Sequence, residues 1–340
     1  MVRRPECCLA ASRSRPQIST WVGVSRVSLI GTQVLAVLFV VLFAPLYRGY
    51  LERLRARLFL RVGPPLFQPF RDLRKWFSKE TVRGTHTTWI SAIAPTVYFC
   101  APVIVALLIP VLTRNPLPLA FMADMLGGGF ILTAGGFFLL LAALDAGSPF
   151  ATLGASRIRL VGVFVEPLIT LILFAAAAVG GSTIPFVVNA ALGSRPWLWS
   201  AAHLMLLAAW FLFWIAETGR IPVDNPSSSQ ELSLIDPART FEASGPDLAL
   251  YEWGGWMKFT VIGIIGVNVL GTPWGLAAAL RPLALAGAIL ATAAKLVLVG
   301  TLLVALEASF AKLRLLRIPE FLTVASLVAL VAVIAATWHP

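Results

Sequence analysis

Seven carboxylates, Glu217, Asp224, Glu231, Asp236, Glu242, Asp247 and Glu252, fall within 36 residues, accompanied by two basic residues, Arg220 and Arg239. They are seven of the chain's 16 acids. Crowded like charges, partly buried, make carboxyls hold protons more tightly, so such a segment can exchange protons near neutral pH. The plain alternative is a solvated acidic loop. Pro222, Pro226, Pro237 and Pro246 exclude one long helix here and predict short amphipathic pieces folded against helix ends.

Glu166 lies inside an apolar run, in Val161-Gly162-Val163-Phe164-Val165-Glu166-Pro167. Read as about two turns into a membrane helix, it must be paired, watered or protonated, because a central charge costs about 2.5–3.5 kcal/mol on insertion scales. Pro167 frees a backbone carbonyl one turn earlier, a hydrogen-bond partner for water or a proton. Lys295 sits near the middle of another apolar run, too far from Glu307 to pair with it directly. Asp145 and Glu217 end two further runs on the same side. Together these groups predict a polar path for protons rather than for a bulky solute. His203 reads as a satisfied interfacial side chain, and Trp197, Trp199, Trp210 and Trp214 as anchors and packing.

The elements that must position these groups follow from composition. Of 340 residues 58% are hydrophobic, and 13% are charged, about half the roughly 25% of soluble domains. A bilayer core of about 30 Å takes roughly 20 helical residues, and lipid pairs no backbone group, so long apolar runs must be helices. About eight are expected, near 27–47, 92–112, 127–144, 160–180, 198–217, 258–276, 283–306 and 320–338. The fold expected is all-α and polytopic, with two long cytoplasmic loops and one membrane domain over 27–340. The weakest runs, 127–144 and 258–276, are Gly-rich, which lets membrane helices approach closely.

The formal charge is +11, and that excess should mark cytoplasmic loops. The stretch 48–83 carries ten basic residues against three acids. Placing it inside also puts Arg157, Arg159, Lys312, Arg314 and Arg317 inside and the N-terminus outside. The basic tail 1–26 then runs against the rule: either the stronger first loop overrides it or the true start lies downstream. The run 27–47 is too long for a signal core and lacks a small-residue cleavage site, so it reads as the first helix. Cys7, Cys8 and Cys100 show no CxxC spacing, so the chain is expected to hold neither a metal nor an iron–sulfur cluster by itself. No P-loop, GxGxxG, HExxH or Ser/His/Asp pattern appears, and nothing points to nucleic acid.

The stretch Ala216-Glu217-Thr218-Gly219-Arg220-Ile221-Pro222-Val223-Asp224-Asn225-Pro226, followed by Gln230-Glu231-Leu232 and Phe241-Glu242-Ala243-Ser244-Gly245, resembles the signature of the respiratory complex I subunit 1 family, a membrane component of NADH-quinone oxidoreductase. Arg61-Val62-Gly63-Pro64 with residues 68–75, and Asp145-Ala146-Gly147-Ser148-Pro149-Phe150 with Gly154-Ala155-Ser156-Arg157, agree with it. The Gly-Arg-Ile-Pro-Val-Asp-Asn-Pro and Asp-x-Gly-Ser-Pro-Phe forms resemble its hydrogenase branch, formate hydrogenlyase subunit 4 and hydrogenase-4 component C.

The resemblance implies a plasma-membrane anchor, not a catalyst alone. Its partners would be a hydrogenase-like large subunit with a [NiFe] centre, a small subunit with iron–sulfur clusters, and antiporter-like membrane subunits. By that analogy Arg61, Gly63, Pro64, Gln68, Arg71, Asp72, Lys75, Arg157 and Arg220 lie at the partner interface. Glu217, Asp224, Glu231 and Glu242 form an acidic inlet, Glu166 a membrane relay, with Asp145, Lys295 and Glu307 completing the path. The chain departs from the branch at Asp236-Pro237, where the branch carries a His-Glu pair. Two alternatives remain open on the residues: a quinone-site subunit of a respiratory dehydrogenase, and a stand-alone secondary ion transporter, which would show internal repeats and broken helices.

Overall fold

The computed structural model describes residues 26–115, 118–119, 122, 124–193, 198, 200–224, 235–271, 274–311 and 313–338. Among them the chain is nearly all helix, as expected. The elements are α1 (Arg26–Leu58), α2 (Gln68–Phe77), α3 (Trp89–Leu108), α4 (Met125–Asp145), α5 (Pro149–Gly180), α6 (Pro185–Leu192), α7 (Ala201–Glu217), α8 (Gly245–Ile264), α9 (Pro282–Ser309) and α10 (Ile318–Trp338). Seven are long and apolar enough to cross a membrane, and α7 is a shorter apolar helix of 17 residues. The basic tail, Glu231, Lys312, Trp197 and Trp199 lie outside the described residues.

Three helices outrun their apolar cores. The first span, expected to end near 47, continues to Leu58, because its arginine-rich end stays helical, with Arg48 and Glu52 one turn apart and 2.6 Å from each other. It stops in a Schellman turn. Leu60 takes the left-handed conformation (φ 55°), the amide of Arg61 reaches the Ala56 carbonyl at 2.8 Å and that of Leu60 reaches Arg57 at 3.0 Å. α5 starts at Pro149 rather than near 160, the proline filling a first-turn position that needs no amide. Glu166 therefore stands mid-helix, not two turns in. α8 starts at Gly245 rather than 258, so Asp247 and Glu252 are helical, not loop. Gly245 has φ 53° and lies so close to Glu80 that an added Cβ would come within 2.5 Å of its carbonyl oxygen.

Alternation of the spans gathers the long connection between α1 and α3, that between α7 and α8, and the turns at 146–148 and 310–317 at one end, here the basic end. Arg83 bonds Asp247, Asp145 receives the Thr88 amide, and the Leu313 amide reaches the Pro222 carbonyl, which ties these connections together. α3 packs on α4 and α8, α10 on α5 and α7, and α1 on α8 and α9. α8 is the central helix: 78% of its span is buried against 28–39% for the other long helices. A helix that faces protein rather than lipid can carry polar side chains. That is why its apolar signal is the faintest of the seven.

Candidate functional site

The site begins where α7 ends. Gly219 (φ 58°) closes a second Schellman turn, with the Arg220 amide on the Ile215 carbonyl at 3.0 Å and that of Gly219 on Ala216 at 3.3 Å. The turn folds Arg220 back under the helix. There its guanidinium lies 4.8 Å over the Phe259 ring and 3.5 Å from Glu307 Oε1. Both partners are buried. Burial first, then the nearby Arg48 charge, holds Arg220 below its ordinary range, down to about 10, with Glu307 opposing. Glu307 Oε2 is also buried and has no partner among the described residues. The resemblance placed Arg220 at the partner interface; its side chain is interior.

Asp224 is wholly buried and ties the acidic segment together. Its Oδ2 accepts from the amides of Ile235 at 3.0 Å and Asp236 at 2.9 Å. That tether fixes the 3-10 turn Pro237–Thr240, which packs against α5. Gly154 makes the approach possible, since a Cβ there would lie 2.6 Å from that of Ala238. The turn carries Arg239, whose guanidinium bonds Asp236 and is held below its ordinary range by burial.

Lys258, on α8, reaches Glu217 with Nζ 2.5 Å from Oε1. Three cavities lie in a series here, two of them bordered by this pair. The first, of ≈ 370 Å³, is lined by Arg83, Glu242, Asp247 and Arg239. The second, of ≈ 190 Å³, holds Arg48, Glu217, Arg220, Asp236, Arg239, Glu252 and Lys258 among its walls. The third, of ≈ 320 Å³, is lined by Arg159, Glu166, Glu217, Arg239 and Lys258. Arg239 borders all three, and Glu217 and Lys258 border the second and third. At the mouth of the first, Arg83 grips Asp247 with two bonds of 2.8 and 3.0 Å, which raises the guanidinium above its usual range.

Of the acids read from the sequence as a proton path, Glu166, Glu217 and Glu242 therefore border this series of cavities, as do Asp236, Asp247 and Glu252 of the same acidic segment. Asp224 braces it, and Glu307 joins through Arg220. Asp145 instead caps α3, accepting from the Thr88 amide at 2.8 Å and the Ser91 hydroxyl at 2.5 Å. Lys295 lies in another network. It bonds Asn268 Oδ1 at 3.2 Å and the Trp274 carbonyl, while Asn268 also reaches the Val111 carbonyl at 3.0 Å and Thr292 at 3.3 Å. Asn268 stands in a π-helical turn, Ile265–Gly271, that continues α8. His203 is buried there, 2.6 Å from the Leu270 carbonyl.

The basic-end surface carries the remaining residues. Arg61 is exposed beyond α1, and Gly63 and Pro64 fold back, a Cβ on Gly63 falling 3.0 Å from Ala56. On α2, Pro69 and Leu73 are buried, Gln68 bonds Asp72 at 2.9 Å, and Arg71, Arg74 and Lys75 face outward. Trp76 and Phe77 pack on Trp256 and Trp253 of α8. Arg157 is half-buried on α5. Sequence reasoning missed Lys258, because the expected span began at that residue and made it an edge. It also missed Arg48 and Arg159 as neighbours of the acids, and gave Arg239 no role beyond its charge.

A family model described as NADH dehydrogenase matches residues 32–337. Formate hydrogenlyase subunit 4 of Escherichia coli K12 is 34% identical over 280 residues, covering 82% of this chain and 89% of that protein. Hydrogenase-4 component C of the same organism is 33% identical over 279 residues, covering 82% and 86%. The NADH-ubiquinone oxidoreductase chain 1 of Hylobates lar is 31% identical over 219 residues, covering 62% and 63%. A chain of the archaeal membrane-bound sulfane sulfur reductase superposes with a TM-score of 0.75 at 19% identity, covering 91% of this chain and 99% of that one. The fold and the matched length define a membrane subunit of the complex I kind. The chain belongs to the NADH dehydrogenase family, complex I subunit 1 type, as the sequence motifs anticipated.

Proposed function

We propose that this chain is the membrane-anchoring and proton-coupling subunit of a complex like formate hydrogenlyase or a group 4 [NiFe]-hydrogenase. Its basic end faces the cytoplasm of a plasma membrane, following the excess of arginine and lysine there. A hydrogenase-like large subunit and an iron–sulfur small subunit dock on that end, where α2 and the end of α1 present an arginine-rich surface. Antiporter-like subunits adjoin in the membrane. The partners carry the redox centres; this chain carries protons.

The observation that carries the reading is the run of three cavities sharing Arg239, which places Glu242 at one end, the Glu217–Lys258 pair between, and Glu166 at the other. Carboxyls spaced along a polar cavity supply successive proton acceptors, and the flanking cations keep a buried carboxylate affordable in low dielectric. Lys295, bonded elsewhere, stands outside this line, and Asp145 touches it through Ser91, which borders the first cavity.

The test has two steps. Pull-down of the tagged chain from its native membrane in mild detergent is expected to recover the large and iron–sulfur subunits. In the purified complex, Glu166→Gln is expected to reduce proton movement into liposomes about a hundredfold while redox turnover in detergent persists. Recovery of the chain alone, still moving ions, would establish the transporter instead. Inhibition by quinone analogues would establish the quinone-site subunit.

A further inference from the structure

We propose that Lys258 is a movable counter-ion serving two carboxylates in turn, Glu217 and Glu166, and so gates passage between the second and third cavities. The proposal deepens the proton-coupling reading and rests on it. Lys258 and Glu217 form a direct pair, and both residues border both cavities, as Arg239 does, so their contact is part of the partition between them. Glu166 borders the third cavity together with Lys258. Gly136 flanks the ammonium: an added Cβ there would meet Nζ at 3.9 Å, an ordinary van der Waals contact, so the glycine leaves space beside Nζ that a larger side chain would fill.

Other charged groups face the pair, and three of the cations have acids of their own. Arg220 is held by Glu307, Arg239 by Asp236 and Arg48 by Glu52, while Arg159 is exposed on α5 and Glu252 faces the second cavity. Lys258 shares the third cavity with both membrane carboxyls, as Arg159 and Arg239 do, but it alone of the three is a lysine, on a flexible four-carbon stem with three rotatable donors. Beside Glu217 its charge favours the ionised form of that group; beside Glu166 it favours the ionised form of the other. A swing from the first to the second draws a proton off Glu166 and lets Glu217 take one from the second cavity. One proton is gained and one released, and the lysine keeps its own.

The test reads carboxyl groups by infrared difference spectroscopy of the full chain in lipid vesicles, and proton movement by the assembled complex. Lys258→Met is expected to raise a protonated-carboxyl band that adding Glu217→Gln removes. Lys258→Arg, which keeps the charge, is expected not to raise it. In the complex Lys258→Met is expected to lower proton movement at least about tenfold, with redox turnover unchanged. Gly136→Val fills the open space while keeping both charges, and is expected to slow proton movement without the new band. An unchanged carboxyl spectrum in Lys258→Met, or unchanged proton movement, overturns the gate. A wild-type complex that moves no protons overturns the proton-coupling reading and the gate with it; failure confined to the Lys258 variants leaves that reading standing.

Discussion

At the basic end, Glu217 meets Lys258 and Arg220 meets Glu307, ionisable group against ionisable group, at the walls of two adjoining cavities. At the far end of α8, Lys295, Asn268 and His203 bond to the Trp274, Val111 and Leu270 carbonyls, and the Asn268 amide also joins Lys295 and Thr292. Both regions bury polar side chains among membrane helices. They differ in what those side chains touch. A carbonyl neither gains nor loses a proton, so bonds to it fix the fold. A carboxylate can, so a pair built on one can open and change state. The contrast assigns chemistry to one end and closure to the other.

The sharpest way to break this contrast is to remove one group from each side. Glu217→Gln is expected to lower proton movement by the complex at least about a hundredfold, as loss of a positioned proton carrier does, while Lys295→Met stays within about twofold in the same vesicle assay. Equal losses would erase the distinction. Next in size is the brace: Asp224→Ala removes a buried carboxylate that holds two amides, and is expected to destabilise the chain by about 2–3 kcal/mol in a detergent thermal melt. Loosening the turn that carries Arg239 should lower proton movement with it.

Asn268→Leu sharpens the comparison from the other side. It deletes side-chain bonds to Val111, Thr292 and Lys295 and is expected to cost about 1–3 kcal/mol in the same melt, with proton movement per redox turnover unchanged. The smallest effect belongs to Arg83→Ala. Its pair with Asp247 is 40% exposed on the arginine side, so solvent screening leaves less than about 1 kcal/mol. Because the pair raises the Arg83 guanidinium above its ordinary range, this contribution stays constant from neutral pH upward until the arginine itself deprotonates. A melt from pH 6 to pH 9 should therefore show no slope attributable to Arg83.

The sequence by itself determined the class of fold, the number of apolar helices and the family. Each rests on long runs or ordered motifs that survive without knowing what packs on what. It also marked Glu166 and Glu217, because a carboxyl inside or at the end of an apolar run is conspicuous, and Glu242 through the acidic cluster and the family resemblance. It could not supply their partners. Lys258 lies 41 residues after Glu217, at the edge of the faintest apolar run, and only the central position of α8 reveals that it is interior. Lys295 shows the converse, a charge in an apolar run whose bonds lead away from the cavities, while Asp145 caps α3 through Thr88 and Ser91.

Helix ends were misjudged for a related reason. Hydropathy reports contact with lipid, whereas α1, α5 and α8 extend past it on arginines, a first-turn proline and a glycine held against Glu80. Whether a charged side chain serves as carrier, brace or cap depends on groups brought within about 3 Å by packing, the range at which hydrogen bonds and ion pairs act. That proximity is set by the crossing of α7, α8 and the 3-10 turn, and only the tertiary structure decided it.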